Sequence, residues 1–301
     1  MIELKALNKS FDGIKAVDNI NVDIKEGNVF GLIGTNGAGK STVMRIMTGI
    51  LKPDSGEVFV DGEKVYNNVS AKSKFFFISD DQYFFATANA KDMERYYSRI
   101  YPNFDKGAFY EYMVRFGLDP QRKINTFSKG MKRQVILLLG ICSNTKYLIC
   151  DETFDGLDPV MRQSIKSIFA SEIDKRQLTP IIASHNLREL EDICDHVGLL
   201  HKGGVLLSKD LEDMKCGIQK VQCVFKTDGE REKAEKLMNI IKDEKRGSLH
   251  TYTVRETQES IINAFAGIET IFFEILPLSL EEIFISETEV AGYDIKKLIL
   301  G

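Results

Sequence analysis

The stretch Gly34-Thr35-Asn36-Gly37-Ala38-Gly39-Lys40-Ser41 has the residue types and the spacing needed to grip a polyphosphate. It fits G-x-x-x-x-G-K-[ST] and lies between an apolar run, NVFGLIG, and a segment with helical spacing, VMRIMTGIL, which is the context the pattern requires. Glycines let backbone N–H groups approach a β-phosphate without a Cβ in the way. Lys40 would neutralise β- and γ-phosphate oxygens, and Ser41, followed by Thr42, would offer a hydroxyl to Mg2+. A second stretch, Tyr147 to Glu152 (YLICDE), reads as a buried strand that delivers Asp151 at its C-terminal end, where ligands of open α/β sheets gather. Asp151 is placed to hold Mg2+ through its water shell. Glu152, one residue on, is placed to polarise a water attacking a γ-phosphate. His185 follows another apolar strand, PIIAS, at the same sheet edge, in position to donate to the γ-phosphate and hold the attacking water. His196, His201 and His250 read instead as satisfied structural residues.

A third stretch poses a question. FSKGMKRQ, Phe127 to Gln134, sets Ser128, Lys129, Gly130, Met131, Lys132 and Arg133 around the start of an apolar helix, VILLLGIC. That is an anion-binding arrangement in a chain that already has a phosphate loop. Two further residues are weaker taken singly. Gln82, in SDDQYFF, ends an apolar strand and reads as a solvated loop residue. Phe11, just after the first strand, reads as core before it reads as an adenine platform.

The elements that must position these residues form an α/β pattern. Alternation in MIELKALN and AVDNINVDI predicts two half-buried antiparallel strands, EVFVDGEKV a hairpin with Asp-Gly at its tip, and VGLLHKGGVLLS a last hairpin. From about 89 to 140 the spacing is helical, so a helical subdomain is inserted between the phosphate loop and the strand carrying Asp151. After Cys216 the pattern resets. QKVQCVFKT, LHTYTVRE and IETIFFEILPL read as strands. EREKAEKLMNII, QESIINAFAG and SLEEIFIS read as helices, the last opened by a Ser279–Glu282 capping box. This predicts a small βαβαβ domain over 217–301 after a first domain over 1–216, with the last dozen residues as a tail.

Composition narrows the class. With 301 residues and 43% hydrophobic content the chain can bury a large core and a smaller one. A formal charge of -4 gives no bulk attraction to nucleic acid or acidic lipid. The apolar runs fall short of the roughly 20 residues that span a bilayer, and MIELKALNKSFDG has no apolar core of a secretion signal. Five scattered cysteines without a CxxC pair read as reduced thiols, and no structural zinc site is expected. The expected location is cytoplasmic.

These pieces, in this order, resemble the ATP-binding subunit of an ABC transporter over about Met1 to Ser208. The phosphate loop and YLICDE match that family's Walker A and Walker B motifs. Phe11 matches its aromatic A-loop residue, Gln82 its Q-loop near the metal, Gly156-Leu157-Asp158 its D-loop, and His185 its switch histidine. FSKGM occupies the place of the LSGGQ signature. The resemblance implies a P-loop NTPase core of α/β class with an antiparallel β subdomain and a helical insertion, ahead of the small C-terminal α+β domain. It also implies ATP and Mg2+ as cofactors, and it answers the question of the second anion site: Ser128, Lys129, Gly130 and Met131 would cap the γ-phosphate of ATP held by a second ATPase subunit paired head to tail. Relative to LSGGQ, Lys129 replaces a glycine, Met131 the glutamine and Phe127 the leucine, while Ser128 and Gly130 are kept. By the same resemblance the pair would drive a separate transmembrane permease from the inner membrane face, most like bacterial exporters of drugs, lantibiotics or amphipathic peptides. The aromatic surface from Gln82 to Tyr101 is the expected dock for that permease. The alternatives are a low-turnover regulatory subunit serving a more active partner, or a soluble ATPase outside transport.

Overall fold

Apolar alternation makes the first strands half-buried. In β1 (Ile2–Phe11) Ile2, Leu4 and Leu7 turn inward, and in β2 (Ile14–Ile24) Val17, Ile20, Val22 and Ile24 do. The two pair antiparallel, with Ile2 opposite Ile24. β3 (Phe30–Gly34) is buried on both faces and feeds the glycine loop into α1 (Lys40–Met47). β4 (Ser55–Val60) and β5 (Glu63–Lys64) turn through Asp61 and Gly62, both at positive φ (50° and 80°), as the Asp-Gly tip predicts. These strands form an antiparallel sheet in the order β2-β1-β4-β5. The computed structural model describes residues 1–154 and 156–290, so the expected tail lies almost wholly outside the described residues.

After the short α2 (Val69–Lys72), β6 (Phe75–Ile78) leads into the helical insertion of α3 (Ala90–Ile100), α4 (Lys106–Arg115) and α5 (Lys129–Cys142). Asn89 starts α3 with a reciprocal capping box to Asp92. The half of α5 from Val135 to Cys142 is buried all round, which is why it reads as continuously apolar. Gly140 is required there: a Cβ would come within 2.7 Å of Leu148 and 3.1 Å of Phe76, so the helix lies directly on the sheet. β7 (Tyr147–Asp151), α6 (Pro159–Arg176), β8 (Thr179–Ser184), α7 (Leu187–Ile193), β9 (His196–His201) and β10 (Gly204–Asp210) complete a second sheet in the order β10-β9-β3-β8-β7-β6. From β9 to β6 its neighbours are parallel. Each large side chain fully buried on β7 and β8, such as Leu148, Ile149 or Ile181, stabilises the fold by about 1.5–3 kcal/mol. The register decides where chemistry can occur: Ile33 lies opposite Ser184, and Asp151 opposite Ala183, so three strands end level on one edge.

The chain divides into two compact units at Ser208/Lys209, ahead of the boundary at 216 that the sequence suggested. The reason is α8 (Leu211–Gly217), which packs on α11 (Leu280–Val290) of the second unit. That unit also corrects the βαβαβ expectation. Its helix α9 (Asp228–Leu237) stops early, and IIKDEKR becomes an extra strand, β12 (Ile240–Arg246), between β11 (Gln219–Phe225) and β13 (Leu249–Val254) in the chain. With α10 (Gln258–Phe265) and β14 (Thr270–Pro277) the unit is β-α-β-β-α-β. Its wholly antiparallel order, β12-β13-β11-β14, is that of a split βαβ fold. Val221, Cys223, Tyr252 and Val254 pack with Ala234, Ile261 and Phe265 in its core. The capping box at α11 is present, Ser279 and Glu282 exchanging hydrogen bonds of 3.0 and 3.3 Å.

Asp61 staples the two sheets of the first unit. Its carboxylate accepts from the N-terminal amine (2.9 Å), Lys146 Nζ (2.8 Å) and Tyr147 Oη (2.8 Å), with Lys74 Nζ at 3.1 Å, so the β4–β5 turn is tied to the starts of β6 and β7. Burial alone would raise this carboxyl, but donors from Lys146, the amino terminus, Tyr147 and Lys74 together hold it well below the usual carboxylate range. A depressed folded pKa adds stability above the unfolded value of about 3.9 and loses it as pH falls below. Asp61→Asn is therefore expected to lower unfolding free energy by about 1–3 kcal/mol at pH 7. The deficit relative to wild type should shrink progressively below about pH 4, as read by urea denaturation across pH.

Candidate functional site

The loop after β3 closes against β2. Gly39 sits at φ 102°, and a Cβ there would fall 2.2 Å from the carbonyl oxygen of Ala16, so only glycine lets the loop pass. Gly39 is also the N-cap of α1 and supplies no capping side chain, which leaves the first N–H groups of the helix facing the loop. Lys40 is 5% exposed. Its ammonium donates to the carbonyls of Gly34 (2.8 Å) and Thr35 (3.4 Å) and lies 3.2 Å from Glu152 Oε1.

Ser41 Oγ donates to Asp151 Oδ1 at 3.0 Å. Burial pushes the Asp151 carboxyl up from its ordinary value, and the Ser41 hydrogen bond opposes that. A carboxylate 1% exposed, bonded only to a hydroxyl among the described residues, is an oxygen-donor pair that fits a hard divalent cation. Glu152 takes a left-handed backbone, φ 49°, a strain of about 1–3 kcal/mol for a residue other than glycine, while its N–H bonds the Ala183 carbonyl at 3.0 Å. The bend brings Oε2 to 2.8 Å from His185 Nδ1 as Oε1 faces Lys40. Burial would raise the Glu152 carboxyl, but His185 and Lys40 hold it below the usual glutamate value and keep it ionised.

These groups border one cleft of about 420 Å3, lined by the loop from Asn36, Gly37, Ala38 and Gly39 through Lys40, Ser41 and Thr42, by Glu152 and His185, and by Ala16 and Asp80. Gly34 and Thr35 meet the cleft through the carbonyls that hold Lys40, and Asp151 through Ser41. Sequence reading missed Ala16 and Asp80. Asp80 had a signal, since it is the second residue beyond β6 on the phosphate edge. Ala16 had none. Phe11 does not line the cleft: it is 45% exposed at the end of β1, with Lys9 Nζ 5.5 Å from its ring. Nor does Gln82, whose amide nitrogen is buried without a hydrogen-bond partner in the loop after β6.

The signature residues lie at the start of α5. Ser128 is the N-cap, and its Oγ accepts from Met131 N–H at 3.1 Å on an exposed side chain. Lys129 is exposed, and Gly130 has the Gly156 carbonyl 3.7 Å from the position of a Cβ. Asp158 caps α6 in the same way, accepting from Met161 N–H at 2.9 Å. Arg133 reaches Asp80 at 3.7 Å, linking α5 to the rim of the cleft.

A glycine loop between a parallel strand and a helix, an acidic pair at the end of the next-but-one strand and a histidine just after the strand between them define a P-loop nucleoside triphosphatase. Comparison with known proteins agrees. Residues 17–155 match the ABC transporter family model. The chain is 29% identical over 287 residues to the ABC transporter ATP-binding protein YtrB of Bacillus subtilis (strain 168), covering 95% of this chain and 98% of that protein. It is 31% identical to the bacitracin transport ATP-binding protein BcrA of Bacillus licheniformis over 71% of each chain. Among solved structures, the dimer of an ATP-binding cassette bound to ADP and Pi superposes with a TM-score of 0.62 at 22% identity, over 70% of this chain and 99% of that one. The chain belongs to the ABC transporter family, as an ATP-binding and ATP-hydrolysing subunit. Among the described residues no helix is long and apolar enough to cross a membrane.

Lys40→Met removes a charge-assisted contact worth about 1.5–3 kcal/mol. ATP affinity measured by calorimetry should fall about 10- to 150-fold. The Glu152 carboxyl should titrate at higher pH, because a neighbouring cation has gone. Unchanged affinity would remove Lys40 from the phosphate site.

Proposed function

We propose that this subunit hydrolyses ATP with Glu152 as general base and His185 as the group that orients the attacking water. The observation that carries this is the carboxylate of Glu152, held ionised between Lys40 at 3.2 Å and His185 at 2.8 Å on the rim of the phosphate cleft. The loop N–H groups and Lys40 bind the β- and γ-phosphates. Glu152 takes a proton from water as the water oxygen bonds to the γ-phosphorus in line. The bond to the β–γ bridging oxygen breaks, and ADP, phosphate and a proton are released. Ser41 and Asp151 would hold Mg2+, which when bound neutralises charge on the phosphate oxygens. We place Phe11 beside the adenine and Gln82 beside the metal by family resemblance alone.

Two subunits then pair head to tail, so that Ser128, Lys129, Gly130 and Met131 cap the γ-phosphate held by the partner, with Asp158 near the joint. The exposed side chain of Ser128 at the N-terminus of a 14-residue helix supports this, as does the dimeric state of the solved relative. Closure and hydrolysis drive a membrane permease, and the bacitracin transport relative supports an exporter. Its dock is the aromatic surface where Tyr83 (73% exposed), Phe85 and Tyr96 stack edge to face, while Tyr97 and Tyr101 pack inward on Phe76. Lys129, exposed where the signature has glycine, supports a second reading, a low-turnover subunit that needs a different partner chain.

Glu152→Gln should slow turnover about 10²- to 10⁴-fold while ATP still binds. Sedimentation of that variant with MgATP separates the readings. A dimer that forms only with MgATP supports self-pairing, and a persistent monomer supports an obligatory different partner.

A further inference from the structure

The second unit gathers three metal-ligating side chains from three elements. β13 alternates, with His250, Tyr252 and Val254 turned into the core and Leu249, Thr251 and Thr253 half-exposed. His250, 5% exposed, sits where a sheet face would ordinarily carry an apolar residue. Asp243 pairs with Tyr252 across β12 and β13, and its Oδ1 lies 3.6 Å from His250 Nδ1. Glu235 comes from α9 and accepts the Tyr252 hydroxyl proton at 2.9 Å. One ligating atom from each of Glu235, Asp243 and His250 lies within 4.8 Å of the other two.

Two carboxylates this close repel unless a cation stands between them. Arg231 is 3.5 Å from Glu235, but among the described residues no lysine or arginine pairs with Asp243. We propose that Glu235, Asp243 and His250 bind a divalent transition-metal ion, Zn2+ above all. An imidazole nitrogen with two carboxylate oxygens is a borderline donor set, suited to Zn2+ or Co2+ rather than to Mg2+ or Ca2+. Tetrahedral bonds of about 2.0–2.1 Å put ligand atoms roughly 3.3 Å apart. The Asp243–His250 pair at 3.6 Å is already close to that spacing, and the Glu235 carboxylate lies within 4.8 Å of both. Tyr252 is the positioning residue. Its hydroxyl donates to Glu235 at 2.9 Å and lies 3.2 Å from His250 Nδ1, a hydrogen bond that the metal would replace, and its ring stacks on His250 with centroids 5.6 Å apart. The bound ion would clip β12 to β13 and α9. Asp243 to Arg246 are all exposed, so this clip would add a side-chain anchor to the backbone ladder that pairs β12 with β13.

The test is calorimetric titration of ZnCl2 into the full chain in excess Mg2+, in an Asp151→Asn background that removes the nucleotide-site carboxylate from the reading. One zinc per chain is expected. That binding should be lost in Asp243→Asn and in His250→Gln, with the circular dichroism of the wild type retained. Tyr252→Phe should weaken it about 10- to 100-fold. Co2+ should give a visible absorption band that disappears in the same variants. If His250→Gln does not fold, Asp243→Asn decides, because its carboxylate is 43% exposed and its loss leaves the core intact. Absence of zinc binding in the parent, or binding unaffected by Asp243→Asn, overturns the proposal.

Discussion

A buried ammonium is the constraint around which the first unit is built. Lys40 is almost fully removed from water, and a charge in that position must be met by fixed acceptors. The Gly34 and Thr35 carbonyls and the Glu152 carboxylate supply them, and each imposes a demand on its own element. The loop must turn back over its helix, which only glycine at position 39 allows. β7 must end level with β3, which the parallel register through β8 ensures. The fully buried β7 and β8 are the means by which one cation and two acids are held at fixed spacing.

The second unit follows a different logic. Its sheet is antiparallel, one face meets α9 and α10, and its connections are local hairpins and split crossovers. Where the first unit places its polar chemistry at strand ends, this one carries His250, Tyr252 and Asp243 along the strands themselves. Polar groups inside a core must be satisfied or must bind something, so the identity of their partner determines how firmly the edge strand is held.

Legibility in the sequence followed locality. The phosphate loop, the acidic pair and the strand before His185 were readable because each is a continuous run whose period and punctuation agree. The capping box of Ser279 and Glu282 was readable for the same reason. β12 was not, because IIKDEKR offers charge where a strand is expected to alternate, and an edge strand needs no apolar face. Asp80 was overlooked beside Gln82 although it is the one that borders the cleft. His250 gave no hint of its neighbours, since Asp243 reaches it only through an unforeseen strand and Glu235 from a separate helix. The left-handed turn at Glu152 is equally silent, as nothing in DET announces a positive φ.

That turn sets stability and activity against each other at a single position. Glycine would relax the backbone at 152 and cost the carboxylate, so a drifting copy of this chain could become sturdier as it became inert. Inactive descendants of such a subunit would then fold well, bind nucleotide and persist as partners, and selection on turnover alone would keep a strained glutamate in place.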